Sequence, residues 1–138
     1  ILRVLLGDPW NDYDFVRHLD QVMLASNKYS YFEIVNIQKY STPNILEQSR
    51  ILASIYHPNI SNIHSIYCDD GEMFLITENL EISISQLQFE THEPAGWEIA
   101  TIVTEVLKGV AYLSSRKLSC KDLSREDIRC SFNGEIKL

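Results

Sequence analysis

Near its carboxyl end the chain reads Cys120-Lys121-Asp122-Leu123-Ser124-Arg125-Glu126-Asp127 and, after five intervening residues, Asn133-Gly134-Glu135-Ile136-Lys137-Leu138. Asn-Gly is a strong hairpin-turn signal, because both residues can adopt a positive φ. Residues 128–131 and 135–138 are therefore predicted to be two short strands joined at this turn. Taken alone, Asp122 and Asp127 are most simply interpreted as surface or capping carboxylates.

A long amphipathic helix is predicted immediately before this stretch, over residues 97–114. Its apolar residues recur at spacings of three and four, which places them on one wide face. They are Ile99, Ile102, Val103, Val106, Val110 and Leu113.

The first half of the chain is predicted to be rich in strands. Residues 14–19, 22–25 and 31–38 carry β-branched and aromatic residues typical of strands. Residues 60–68 and 72–78 form a further pair, joined by a turn at Asp69-Asp70-Gly71. Residues 79–96 are predicted to be a connector with a small helix near residues 82–87.

One helix is predicted between these two groups of strands. Ser41-Thr42-Pro43 is typical of a helix start, and His57-Pro58-Asn59 of a helix end. Apolar residues at helical spacing predict a buried stripe made of Ile45, Leu46, Leu52 and Ile55. A first half that is rich in strands, followed by a second half that begins with a long helix, indicates an α+β fold with two lobes.

Composition excludes several classes of protein. Of the 138 residues, 45% are hydrophobic and 22% charged, which allows a folded core. The net charge is −7 with no run of Lys or Arg longer than two, which argues against nucleic acid or an anionic membrane as partner. No apolar run has the length of a membrane helix.

The cysteines and histidines indicate neither a disulfide framework nor a zinc site. The three cysteines show no C-x-x-C spacing, and the four histidines are scattered. Reduced thiols are typical of a cytoplasmic protein.

With these elements in order, the chain resembles a protein kinase. Residues 120–127 stand where that family has H-R-D-L-x-x-x-N. Residues 133–138 resemble the hairpin before D-F-G, and His57-Pro58-Asn59-Ile60 the turn after the αC helix. Met73-Phe74-Leu75-Ile76-Thr77-Glu78 resembles the strand that enters the hinge. The likeness covers residues 14–138 and stops before D-F-G. Within the family, the chain is similar to divergent, pseudokinase-like Ser/Thr kinase domains, including fungal ones.

The resemblance implies an antiparallel-sheet N-lobe with one helix, and the first part of a helical C-lobe. Residues 1–13 would be an N-terminal extension and residues 14–78 the N-lobe. Residues 79–138 would hold the hinge, the αD and αE helices, the catalytic loop and the hairpin. The remainder of the C-lobe is expected to follow in the parent chain.

In the catalytic loop, the resemblance assigns Asp122 to the family's catalytic base. Lys121 replaces the arginine and lacks its bidentate fork. Cys120 replaces the histidine, in a buried structural position. Asp127 replaces the metal-binding asparagine and is a candidate magnesium ligand, although a capping role is the simpler interpretation.

The positions that bind the nucleotide in this family have lost their charged residues in this chain. Val35-Asn36-Ile37-Gln38 stands where the family has V-A-I-K, so Gln38 replaces the phosphate-binding lysine. Gln48 stands at the helix glutamate, which predicts a Gln38–Gln48 amide pair. Lys39 is expected on the opposite face of the strand.

Three further features concern the nucleotide. Thr77 stands at the gatekeeper position, and Glu78 and Leu80 would supply the hinge backbone groups that meet adenine. No glycine lies between Phe15 and Ala25, so the phosphate loop is absent or replaced by a tight turn at Asp20-Gln21.

Three functions are consistent with these residues. The favoured one is a catalytically impaired kinase-fold module that binds or regulates a protein partner, with ATP and Mg²⁺ as cofactors only where residual binding exists. The second is an atypical, active Ser/Thr kinase in which Lys39 and Glu47 replace the usual ion pair. The third is a kinase fragment that leaves part of the long helix's apolar face exposed.

Overall fold

A six-stranded sheet forms the first part of the protein, in a computed structural model that describes residues 3–19, 22–30, 32–41, 43–87, 91–120 and 122–138. The strand order is β1-β5-β6-β4-β3-β2. The strands are β1 (Arg3–Leu6), β2 (Tyr13–Leu19), β3 (Val22–Asn27), β4 (Ile34–Ser41), β5 (Ile63–Asp69) and β6 (Glu72–Glu78). All neighbours are antiparallel except β1 and β5. The sheet belongs to one of two structural units, made of Ile1–Ile55 and Asn62–Asn79.

Strand β1 was not predicted from the sequence. It runs parallel to β5, with Arg3 opposite Ser65 and Leu6 opposite Cys68. Leu5 packs against the core. The strand escaped prediction because four residues without polar alternation carry little local signal, and its partner lies some sixty residues away.

The sheet buries apolar side chains on both faces. On one face the core consists of Tyr13, Ala25, Val35, Ile37, Tyr67, Phe74 and Ile76. On the other face Ile66, Met73 and Leu75 pack with Ile45 and Leu52 of helix α1 (Ile45–Ala53). Because strand residues alternate between faces, β5 and β6 each contribute to both clusters.

The predicted turn between β5 and β6 is confirmed. Asp70 has a φ of 44° and Gly71 a φ of 83°. Two consecutive positive φ values are what a type I′ hairpin turn requires. The bounds of β6 are also those predicted.

Helix α1 differs from its prediction in its start and in its buried face. It begins at Ile45 after Asn44, later than Ser41-Thr42-Pro43 indicated, and Thr42 lies outside the described residues. The expectation that Leu46 is buried is wrong, because its side chain is 69% exposed. Ser49 is buried instead, and its hydroxyl donates to the Ile45 carbonyl at 2.7 Å.

The second unit comprises Tyr56–Ser61 and Leu80–Leu138. It contains helix α2 (Gly96–Ser115) and a three-stranded sheet of β7 (Ile82–Ser83), β8 (Arg129–Cys130) and β9 (Ile136–Lys137). A single 3₁₀ turn, Ile84–Gln86, replaces the small helix predicted near residues 82–87. The long helix and the final hairpin are confirmed, with Gly134 at a φ of 82° in the turn.

Asn59 holds the second unit together. Its Nδ2 donates to Oε2 of Glu105 in α2 at 2.7 Å and to the carbonyl of Ile136 in β9 at 2.9 Å. Its own carbonyl accepts from the Leu138 amide at 3.0 Å. The segment after α1 is therefore joined to α2 and β9 by a buried carboxamide.

Within the ranges above, neither helix has the length and apolar character needed to cross a membrane.

Candidate functional site

Two candidate nucleotide-binding residues of β4, Gln38 and Lys39, lie on opposite faces of the sheet. Gln38 lies opposite Leu75, and Leu75 packs with the residues of α1. Lys39 lies opposite Phe74, which belongs to the core of the other face. Directly opposed residues of an antiparallel pair share a face, so Gln38 lies on the side of α1 and Lys39 on the other side.

Lys39 has its own partners on that other side. Its Nζ lies 2.7 Å from Oε1 of Glu72, and 5.7 Å from the centre of the Phe74 ring. The strand alternation that predicted this orientation is confirmed. Lys39 is thus paired with Glu72 and not with Glu47, the partner on which the active-kinase alternative depended.

The predicted Gln38–Gln48 amide pair is wrong. In the described part of the chain no hydrogen bond joins the two amides, and Gln48 is exposed. The physical reason is the rotation of α1, which directs Ser49 toward the sheet. Gln48, one position earlier, is turned about 100° away. Glu47 is exposed as well.

Asn36 contacts the end of the strand that resembles the hinge entry. Its Nδ2 donates to the Glu78 carbonyl at 3.4 Å, and its residue is opposite Thr77. The Oδ1 of the same amide is buried without a hydrogen-bond partner. Sequence reasoning did not single out Asn36, although it stands at the alanine of V-A-I-K, where a polar side chain is a visible departure.

Glu78 is fixed from the β5 side of the sheet. Its amide donates to the Asn62 carbonyl at 3.0 Å, and its Oε1 accepts from the Asn62 amide at 2.7 Å. This pair of bonds sets the position of the Glu78 backbone at the end of β6.

Leu80, the other hinge candidate, belongs to the second unit. Its side chain is buried, and its carbonyl accepts from Nη1 of Arg129 at 3.3 Å. That backbone group is thus engaged within its own unit.

Asp122, the candidate base, is exposed and has a φ of 62°. Among residues with a side chain, Asp is one of the few that adopt this left-handed region readily. Lys121 lies outside the described residues, as do Asp20 and Gln21 of the expected tight turn.

Asp127, the candidate metal ligand, stabilises its own loop. Its Oδ2 accepts from the Ser124 amide at 2.8 Å and from the Ser124 hydroxyl at 2.7 Å. Over the described ranges, no group of three or more His, Cys, Asp or Glu side chains is arranged to hold a metal ion. The geometry of Asp127 fits the capping interpretation.

Comparison with known proteins places these positions in a family context. The family model described as protein tyrosine and serine/threonine kinase matches residues 34–138. A probable serine/threonine-protein kinase of Dictyostelium discoideum, mkcF, is 28% identical over 109 residues, which are 75% of this chain and 16% of that protein.

Two animal kinases match over most of the chain. Aurora kinase C of Mus musculus is 25% identical over 142 residues, which are 93% of this chain and 51% of that protein. Serine/threonine-protein kinase PAK mbt of Drosophila melanogaster is 25% identical over 146 residues, 98% of this chain and 23% of that protein. The chain thus spans about half or less of the length of each of these relatives.

Proposed function

The chain belongs to the protein kinase superfamily, and we propose that its domain is a catalytically impaired, pseudokinase-type module that binds or regulates a protein partner. The observation that carries the proposal is the orientation of Lys39. The lysine nearest to the V-A-I-K position is paired with Glu72 on the face of the sheet away from α1.

The missing charge bears directly on phosphoryl transfer. Catalysis in this family is mainly positioning and electrostatic stabilisation of the transferring phosphoryl group. Gln38 and Gln48 are neutral, and within the described ranges no hydrogen bond joins their side chains to position a phosphate contact. Removing one preorganised donor of this type costs about 3–4 kcal/mol of barrier in other enzymes.

The glycine pattern supports the same proposal. Residues 8–70 contain no glycine, so β2, β3 and their connection lack the residue that lets backbone amides approach phosphates closely. A side chain at such a position would stand between the backbone and the phosphate oxygens.

The partner is expected to be a protein, and the compartment the cytoplasm. The net charge of −7 disfavours phosphate backbones and anionic lipid surfaces. Three cysteines without C-x-x-C spacing are typical of a protein in a reducing compartment.

An active Ser/Thr kinase, transferring the ATP γ-phosphoryl group to protein hydroxyls, is the second candidate. Asp122 is retained and exposed, and the relatives include several named as serine/threonine kinases. In that case the Asp127 carboxylate would give up its hydrogen bonds with Ser124 in order to bind magnesium.

Thermal-shift titration with Mg-ATP, together with phosphate incorporation from labelled ATP, separates the two. For the impaired module we expect no saturable rise in melting temperature, and no incorporation above that of an Asp122→Asn control. A nucleotide-dependent rise, with incorporation that Asp122→Asn abolishes, would refute the proposal in favour of the active kinase.

A further inference from the structure

The loop between β3 and β4, residues 28–33, displays two aromatic side chains to solvent. The side chain of Tyr29 is 80% exposed and that of Phe32 is 97% exposed. An aromatic side chain inside a protein removes about 150–250 Å² from water, and this loop leaves that area bare twice within four residues. The two rings belong to neither core cluster, so their apolar surface is available to another molecule.

Hydrogen bonds hold the described residues of this loop in one shape. At its base the Asn27 side chain reaches both ends of the loop. Its Oδ1 accepts from the Tyr29 amide at 2.9 Å, and its Nδ2 donates to Oε2 of Glu33 at 2.7 Å. The backbones of Asn27 and Glu33 also pair, and the Glu33 amide donates to the Ser30 carbonyl at 3.1 Å. The first of these side-chain contacts is an Asx turn, which fixes the backbone that carries Tyr29.

The loop is also fastened to neighbouring parts of the same unit. The Lys28 amide donates to the Asp12 carbonyl at 3.0 Å, and its Nζ donates to the Trp10 carbonyl at 2.7 Å. On the other side, Nδ1 of His64 lies 3.2 Å from Oε1 of Glu33. A loop fixed in this way loses little conformational freedom when it binds, so the exposed rings are pre-organised for a contact.

The charges beside the loop indicate what kind of surface it fits. Lys28 is neutralised by Asp14, whose carboxylate lies 3.7 Å from the ammonium group and is 67% exposed. Glu33 adds a second carboxylate within the loop itself. Phe32 has no hydrogen-bonding group in its side chain, so a surface that recognises it must provide an apolar pocket. Charge complementarity then favours basic residues around that pocket.

A second copy of this chain does not meet that description. It would bring the same net charge of −7 and the same carboxylates to the contact, which would therefore be repulsive. The acidic surroundings likewise disfavour an anionic membrane.

We propose that the loop of residues 28–33 is the surface through which this chain binds a different protein, with Phe32 inserted into an apolar pocket that has a basic rim. Tyr29 packs at the margin of the pocket, where its hydroxyl stays in water. Aromatic anchors of this kind carry a large share of the binding energy in protein interfaces. The inference rests on the proposed function above, a module that binds a protein partner, and names the surface that does so.

The test begins with photo-crosslinking from position 32. The chain carrying Phe32→p-benzoylphenylalanine is irradiated in a lysate of the source organism. A chain carrying Phe132→p-benzoylphenylalanine is the matched control, because Phe132 is 79% exposed but is the single aromatic residue of its turn. We expect a protein to be crosslinked at position 32 and not at position 132.

Calorimetric titration of that protein, once purified, measures what each ring contributes. We expect the Kd to rise about tenfold or more in Phe32→Ser and by a smaller factor in Tyr29→Ser, and to stay within about twofold in Phe132→Ser. All three variants should keep the wild-type melting temperature, since the replaced side chains are exposed. The Kd should also rise between about 0.05 M and about 0.5 M NaCl, and Asp14→Asn should weaken that dependence.

The proposal is overturned if position 32 crosslinks no protein beyond those crosslinked at position 132, or if it crosslinks a second copy of this chain. It is also overturned if Phe32→Ser binds the purified protein as tightly as wild type does. Sedimentation with phosphatidylcholine–phosphatidylserine vesicles that Phe32→Ser abolishes would assign the loop to a membrane instead.

Failure of this inference is distinguishable from failure of the proposed function. A partner protein that binds with the same Kd whatever residue stands at position 32 overturns the inference and leaves the proposed function intact. Phosphate incorporation by the wild type, abolished by Asp122→Asn, refutes the proposed function through a separate measurement.

Discussion

The ammonium group of Lys39 lies 2.7 Å from the carboxylate of Glu72, and Lys39 is opposite Phe74 in the β4–β6 ladder. The pair links the ends of two neighbouring strands on the face that α1 does not cover. Both side chains are 40–50% exposed, so water screens their attraction. This pair is therefore a modest stabilising contact and leaves the α1 side of β4 without a lysine.

Substituting Lys39 tests that assignment. We expect Lys39→Met to lower the free energy of unfolding by less than about 1 kcal/mol, because exposed ion pairs contribute little. The response of the melting temperature to Mg-ATP should not change. Urea denaturation and thermal-shift titration measure the two quantities, with Glu72→Gln as the matched control. Abolished phosphate incorporation in Lys39→Met alone would instead assign Lys39 to catalysis.

Asn59 should be far more sensitive, since its amide has two partners. Asn59→Ala removes the donor to the buried Ile136 region and to Glu105, and is expected to cost about 1–3 kcal/mol of unfolding free energy. Asn62→Ala, whose side-chain amide forms no hydrogen bond in the described structure, should stay within about 0.5 kcal/mol. Equal urea midpoints for the two variants would contradict the role given to Asn59.

Replacing Gly109 by alanine is expected to lower stability, although the residue lies inside a helix, where alanine is normally favoured. A Cβ at this position would stand 2.9 Å from the Asn59 carbonyl oxygen and 3.1 Å from Cδ1 of Leu138. Overpacking of this kind costs about 1–3 kcal/mol, which exceeds the roughly 1 kcal/mol gained from alanine's helix propensity. Gly109→Ala should therefore melt at a lower temperature than wild type.

Gly96 provides the matched control for that prediction. It is the first residue of α2, and nothing lies within 4 Å of a Cβ built there. Gly96→Ala should melt at or above the wild-type temperature. A Gly109→Ala variant as stable as Gly96→Ala would show that the approach of Asn59 to α2 is looser than described.

Asp127 offers a test of its two interpretations. Asp127→Asn keeps an oxygen that can accept from the Ser124 amide, whereas Asp127→Ala does not. We expect amide exchange at Ser124 to quicken several-fold in Asp127→Ala and to change little in Asp127→Asn, because one hydrogen bond is worth about 1 kcal/mol. Mg²⁺-dependent protection of that amide in wild type would argue for a metal ligand instead.

The features predicted correctly from the sequence are those encoded locally. Asp70-Gly71 and Asn133-Gly134 mark two turns, because Asp70, Gly71 and Gly134 adopt positive φ values that few residues tolerate. The orientation of Lys39 followed from strand alternation, a period of two that leaves no ambiguity. The helix α2 has an apolar pattern long enough to fix its period.

The features that sequence reasoning missed depend on tertiary contacts. For α1, adjacent apolar residues Ile45 and Leu46 allow two rotations about 100° apart, and packing on the sheet chose the one that buries Ser49. This rotation is also why the prediction of a Gln38–Gln48 amide pair was wrong. Asn36 was missed because the hydrogen-bond partner of a single polar residue in a strand cannot be read from the local sequence. Its partner, the Glu78 carbonyl, is 42 residues away in the chain.

Glu105 gives the second unit a predictable response to acid. Its pKa lies below the ordinary value of 4.5, chiefly because Lys108 donates a hydrogen bond to the carboxylate, and further because Asn59 donates another. Folding thus favours the charged carboxylate, so its stabilising effect is present above the unfolded pKa. That effect is lost as the pH falls through the lower, folded pKa.

Glu105→Gln isolates this contribution, because glutamine keeps an oxygen that can accept from Asn59 but carries no charge. At pH 7 the variant should melt below wild type. The difference should shrink between about pH 5 and pH 3, where the wild-type carboxylate becomes protonated. Melting temperatures recorded across this range at constant ionic strength provide the measurement. A gap that stays constant from pH 7 to pH 3 would mean that the charge of Glu105 does not contribute to its pairing with Asn59 and Lys108.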